Sequence, residues 1–160
     1  MRKTHIFLVS LFCLLMSCNS GSNTSGLEDL DLMAHGLPIK IKAPAEANVQ
    51  MDDLGFVKDV TVKSGDKFYL QIIGGTATTT NVSEVVAEHK QQATNNPFFS
   101  EIVREEENGF IFKKVISEDR ENYDFRYVRI QGDKEYLFQT GLIGQYTLED
   151  VETMFAAVKG

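Results

Sequence analysis

Gly65-Asp66-Lys67-Phe68-Tyr69-Leu70 and Gly132-Asp133-Lys134-Glu135-Tyr136-Leu137 are one turn-and-strand phrase written twice, agreeing at five of six positions. Each lies at the centre of a predicted hairpin, where Gly can supply the positive φ of a tight turn. The first hairpin pairs Phe56 to Lys63 with Lys67 to Ile73 around Ser64-Gly65-Asp66. The second pairs Tyr123 to Gln131 with Glu135 to Thr140 around Gly132-Asp133-Lys134. A helix cap follows each at similar distance, Asn81 sixteen residues after Gly65 and Thr147 fifteen after Gly132. Each half thus reads as hairpin, loop and capped helix, a possible ββα internal pseudo-repeat. Convergence of common turn and cap chemistry is the other explanation.

The two helices have matching signals. After Asn81, Glu84 at the third helical position forms a capping-box pattern, and Val82, Val85, Val86, His89 and Ala93 make one stripe. Asn95-Asn96-Pro97 ends that helix. In the second, Thr147 and Asp150 form the box, Tyr146 can staple onto Val151, and Leu148, Val151, Met154, Phe155 and Val158 point inward. Between them, Glu101 to Glu107 and Phe110 to Ile116 flank Asn108-Gly109, the dipeptide favoured in a type I′ turn. The expected architecture is α+β: an antiparallel sheet of hairpins with both amphipathic helices packed on one face.

Working outward toward the N-terminus, Pro38 to Ala43 alternates Ile39, Ile41 and Ala43 with Lys40 and Lys42, a strand stopped by Pro44. Leu27, Leu30 and Ala34 stand at helical spacing among acidic residues and read as a short, weakly held helix, with further linker as the other reading. Asn19 to Gly26 contains only Asn, Ser, Gly and Thr, a flexible tether whose eight residues reach roughly 16 Å. Arg2 and Lys3 precede an apolar run from Ile6 to Met16, the charge order of a secretion signal. That run is too short to span a bilayer, which takes about 20 apolar residues.

At its end, Leu15-Met16-Ser17-Cys18 resembles a bacterial lipobox, with Leu three positions before the Cys and a small residue next to it. The resemblance implies cleavage before Cys18, lipidation of its thiol and a bacterial envelope lipoprotein, by default periplasm-facing. Several acyl chains at about 0.8 kcal/mol per buried methylene make such an anchor effectively permanent. The expected organisation is a signal peptide over 1–17, the lipidated Cys18 and tether over 18–35, and one α+β domain over 36–160. Cys13 lies in the discarded segment, so the mature chain has neither a free thiol nor an internal disulfide.

Loss of Arg2 and Lys3 takes the net charge from −7 to −9. An acidic surplus opposes phosphate backbones, so nucleic acid is excluded as an expected partner. Of the two mature histidines, His35 lies by the tether and His89 on a helix stripe, without metal-ligand spacing. Glu105 to Glu107 and the loop Ser117 to Asn122, with Asp124 after it, lack the spaced ligands of a calcium loop and read as solvated acid. No catalytic, cofactor-binding or metal residue is assigned, and no cofactor is implied. Phe110, Phe112, Tyr123, Phe125, Tyr127, Tyr136 and Phe138 are core if covered by helices. With one sheet face bare, they would form a groove for a peptide or an apolar ligand.

The order of hairpins, with one helix after the first and another at the C-terminus, resembles the PsbP-like fold, also found in DcrB-type envelope lipoproteins. That resemblance implies binding rather than catalysis. The expected function is a membrane-anchored, non-catalytic binding or accessory protein with an envelope protein partner. The alternative is a periplasmic carrier of apolar small ligands or lipids.

Overall fold

The computed structural model describes residues 24–159. The expected signal peptide and Cys18 lie outside the described residues. Nine strands and two helices follow in the order β1 (Glu28–Asp31), β2 (Lys40–Ala43), β3 (Asn48–Asp53), β4 (Lys58–Ser64), β5 (Phe68–Thr76), α1 (Val82–Thr94), β6 (Phe99–Glu106), β7 (Gly109–Ser117), β8 (Arg120–Gln131), β9 (Lys134–Thr140) and α2 (Leu148–Ala157). The fold is α+β, as its sequence indicates. Seven strands form one antiparallel sheet in the order β3-β4-β5-β9-β8-β7-β6, and β1 and β2 form a separate pair.

The helices do not share a face. Alternate residues of a strand point to opposite sides, and β7 and β8 are apolar on both. Ile111, Phe125, Tyr127 and Phe138 pack with Val151, Met154 and Phe155 of α2, beneath a layer completed by β1 and β2. Phe155 meets Phe125 and Tyr127 edge-on at 5.6 and 5.7 Å. Phe110, Phe112, Val128 and Leu137 pack instead with Val85, Val86 and Ala93 of α1. The expected one-faced arrangement is therefore corrected: two apolar faces require two covers.

The repeated phrase is not expressed as symmetry. Relating β4-β5 to β8-β9 across the β5–β9 seam needs a two-fold axis perpendicular to the sheet, which leaves each face on its own side. Yet Leu70 belongs to the core under α2 and Leu137 to the core under α1. The seam pairs Leu70 with Thr140 and Ile73 with Leu137, a register that turns the matched leucines opposite ways.

Three local expectations also change. Residues after Leu27 form β1 and a 3-10 turn, Met33–His35, where a helix was expected. Asp29 and Asp31 sit opposite Lys42 and Lys40 in the β1–β2 ladder, with ion pairs at 2.8 and 3.6 Å, so the charge alternation is satisfied by pairing strands. Leu32, assigned to the tether, is 0% exposed within the main core. β3 escaped the sequence reading because an edge strand of polar residues lacks a clean apolar alternation.

The Asn108-Gly109 turn is not type I′, since neither residue has positive φ. Glu106 pairs with Gly109, leaving Glu107 and Asn108 as the loop, while Val128 N donates to Asn108 O at 2.7 Å. Gly109 is needed for close approach: a Cβ there would stand 2.2 Å from the Arg126 carbonyl oxygen. Gly65 and Gly132 do take positive φ, 57° and 63°, as the hairpin reading requires.

Candidate functional site

The ladders sort the loops onto two ends of the sheet. At one end lie Glu28, opposite Ala43, then Asn48 opposite Lys63, the Ser64–Phe68 turn, and Gly141, whose N donates to Tyr69 O at 2.7 Å. This is the end at which the chain enters the domain. At the other end lie Gly36 to Pro38, the β3–β4 tip, Gly74 to Thr76 and the start of β9.

An open cleft of about 280 Å³ occupies that far end, lined by residues that include Leu37, Pro38, Phe56, Lys58, Lys134 and Tyr136. Each wall follows from local sequence. Asp53 and Lys58 close the β3–β4 hairpin, Asp53 Oδ1 accepts from Gly55 N at 2.9 Å, and Leu54 N donates to Val57 O at 2.9 Å. Gly55, at φ 86°, makes the reversal. Apolar residues on a tip held this way cannot fold back, so Leu54 is 61% and Phe56 86% exposed.

The cleft floor exists because β5 carries Gly74-Gly75. A Cβ on Gly74 would stand 2.9 Å from Leu37 and 3.3 Å from Tyr136. Lys58 Nζ donates to Gly36 O at 3.3 Å, and Lys134 pairs with Asp133 at 3.3 Å. Burial pushes the Tyr136 hydroxyl above its ordinary range, with the neighbouring Lys134 charge opposing it. An apolar floor, an exposed aromatic flap and two ammonium groups at the mouth suit a ligand with an apolar body and a negative group. The titratable groups lining the cleft are two lysines and one tyrosine.

The other sequence candidates have structural explanations. Phe110, Phe112, Phe125, Tyr136 and Phe138 are buried, and Tyr123 and Tyr127 pack against the core, so the aromatics form no open groove. His89 is partly buried on α1. Burial lowers its pKa, and the Arg126 guanidinium lowers it further. The acidic stretch Ser117 to Asn122 is a short turn running into β8, held by a Lys113–Glu121 ion pair and by Gln145 donating to the Glu121 carbonyl at 3.3 Å. Among the described residues, no group of three or more His, Cys, Asp or Glu is placed to hold a metal ion.

Asp124 differs from its acidic neighbours because it lies deeper in β8 and is buried. It meets Arg126 at 2.9 Å and Lys114 at 3.0 Å, and accepts from the Thr140 hydroxyl at 2.6 Å. Burial alone would raise its carboxyl pKa, but the two cations and the hydroxyl outweigh that and lower it. Nearby, Gln139 donates to Gln71 and Gln71 to Asp59, both at 2.7 Å, which satisfies the buried amides.

Leu54, Phe56, Leu142 and Ile143 are exposed apolar residues, as is Met33 at 62%; Leu54, Leu142 and Ile143 belong to no element of the sequence reading, and Phe56, read there as the start of a strand, lies before β4. Their signal was local: each apolar pair adjoins glycine in a segment too short for an element. Among the described residues, no helix is long and apolar enough to cross a membrane. Comparison with protein-family models, curated proteins and solved structures finds no match for this chain.

Proposed function

We propose that this chain is a bacterial envelope lipoprotein, anchored through Cys18 and facing the periplasm, whose domain is a non-catalytic binding or accessory protein for an envelope partner. The observation that carries this reading is the polarity of the domain. The chain enters at one end, while the exposed Leu54 and Phe56 and the lysine-rimmed cleft stand at the other. A tether at one end leaves the other free to meet a partner, and exposed apolar residues beside a cleft are common at recognition sites. The hairpin order and the C-terminal helix support keeping the PsbP-like, DcrB-type resemblance within this reading. The carrier alternative is less favoured, because the cleft is open to solvent and does not enclose a ligand, as carrying an apolar molecule through water requires.

Site-specific photo-crosslinking in intact envelopes tests it. A crosslinker at Phe56 should yield a discrete protein adduct that one at Lys90 does not, and Lys58→Glu with Lys134→Glu should weaken the adduct severalfold. No adduct, or the same adducts from both positions, would refute the binding role. Cys18→Ala should abolish acylation and release the protein from membranes.

A further inference from the structure

We propose that Leu142 and Ile143 form a second membrane contact, dipping into a zwitterionic lipid surface beside the acylated tether and orienting the domain upright on it. This rests on the reading of Cys18 as the anchor.

The two side chains are 82% and 84% exposed, adjacent, and held on a firm loop between β9 and α2. Gly141 N donates to Tyr69 O at 2.7 Å, and Tyr146 N donates to Asn122 Oδ1 at 2.7 Å. The loop presses closely on its supports, since a Cβ on Gly141 would meet the Tyr69 ring at 2.4 Å. Two of its carbonyls are also occupied: Ile143 O accepts from the Tyr146 hydroxyl at 3.1 Å, and Gly144 O from Asn122 Nδ2 at 3.2 Å. Unpaired carbonyls would resist leaving water. Pairing these two lowers the polar cost of bringing the adjoining apolar side chains into the interface.

Position selects the lipid surface as the occupant. Gly141 bonds to β5 at the end where the chain enters the domain. Asn48 follows Ala43, which pairs with Glu28 where the chain enters, and lies three strand spacings from β9, about 14 Å, while Cys18 precedes the first described residue by six positions. An anchor at Cys18 therefore brings this end to the leaflet, with the Phe56 end turned away. Charge selects the lipid class. Glu118 and Asp119 stand in the β7–β8 turn, and Glu121, near the start of β8, is ion-paired with Lys113. Glu149 and Asp150 lie in the first turn of α2 beside it, and Glu46 and Asp66 lie at the same end, with Arg120, Lys63 and Lys67 among them. That acidic excess disfavours anionic headgroups.

The test uses the acylated full-length product in phosphatidylcholine vesicles. The mature chain has no other thiol once Cys18 is lipidated, so Ile143→Cys and, separately, Phe56→Cys each accept one environment-sensitive fluorophore. Bilayer-embedded quenchers should reduce emission at position 143 severalfold and leave position 56 unaffected. Adding Leu142→Ser should cut the quenching at 143 severalfold with an unchanged melting temperature. Adding phosphatidylglycerol should weaken it. Acylated, vesicle-bound protein with position 143 unquenched, or with both positions quenched alike, overturns the loop contact and leaves the anchor standing. Quenching that rises with phosphatidylglycerol assigns the contact to Lys63 and Lys67 and also overturns it. Mass spectrometry showing no acyl group on Cys18 overturns both.

Discussion

Asp124 is the side chain on which burial and charge compete most directly. Two cations and a hydroxyl surround it, and the lowered carboxyl pKa makes its contribution to folding pH-dependent. A carboxyl whose folded pKa lies below its unfolded value, near 3.9, stabilises the fold above that value. The contribution fades as pH falls through the folded pKa. Removing one member of a buried pair costs roughly 3 to 5 kcal/mol; Lys114 and Arg126 keep some contact with water, so Asp124→Asn is expected to cost about 2 to 3. Urea unfolding across pH should show the gap between parent and variant closing below about pH 4. Glycine at 109 yields a second prediction. Its φ is ordinary, but Gly109→Ala would force a Cβ against the Arg126 carbonyl, and overpacking of this kind costs about 1 to 3 kcal/mol. A denaturation midpoint unchanged in Gly109→Ala would contradict that packing.

The helices differ in how they begin. In α2 the Thr147 hydroxyl accepts from Asp150 N at 3.2 Å, and the Asp150 carboxylate accepts from Thr147 N at 2.9 Å, completing the box its sequence spells. In α1 the Asn81 side chain makes no such bond; the Thr79 hydroxyl instead accepts from Asn81 N and donates to Glu84. Thr147→Ala should therefore cost about 1 kcal/mol, while Asn81→Ala should stay within about 0.5, measured side by side by thermal melting. An equal loss in both would mean that α1 is capped through Asn81 after all. α2 was legible down to individual hydrogen bonds because its capping box is encoded within one turn and its apolar stripe repeats at helical spacing through the rest of the helix. The first turn of α1 was less so, because Thr79 lies outside the pattern and competes for the same donors.

For the whole molecule, the sheet is an insulated layer with separate cores on its two sides. Phe155→Ala removes the ring that meets Phe125 and Tyr127 and should cost about 3 to 5 kcal/mol. Leu32→Ala should cost about 2 to 5 kcal/mol, although the surrounding composition resembles a tether, because Leu32 is wholly enclosed by the core under α2. Chemical denaturation of both variants checks this; a neutral Leu32→Ala would place the start of the folded unit after it. The apolar residues of the candidate site illustrate the limit of pattern reading. Phe56 is read as a strand residue by its neighbours, yet it stands on a hairpin tip because Gly55 reverses the chain one residue earlier.

Taken alone, the residue order determined the α+β class, three of the hairpins and the two helices, since turn glycines, caps and apolar periodicity act over a few residues. The tertiary structure decided which face each helix covers, that the repeated phrase points opposite ways in β5 and β9, and which loops meet at each end. Those outcomes depend on strand register, and register is set by distant partners: a shift of one residue turns a side chain from one core to the other.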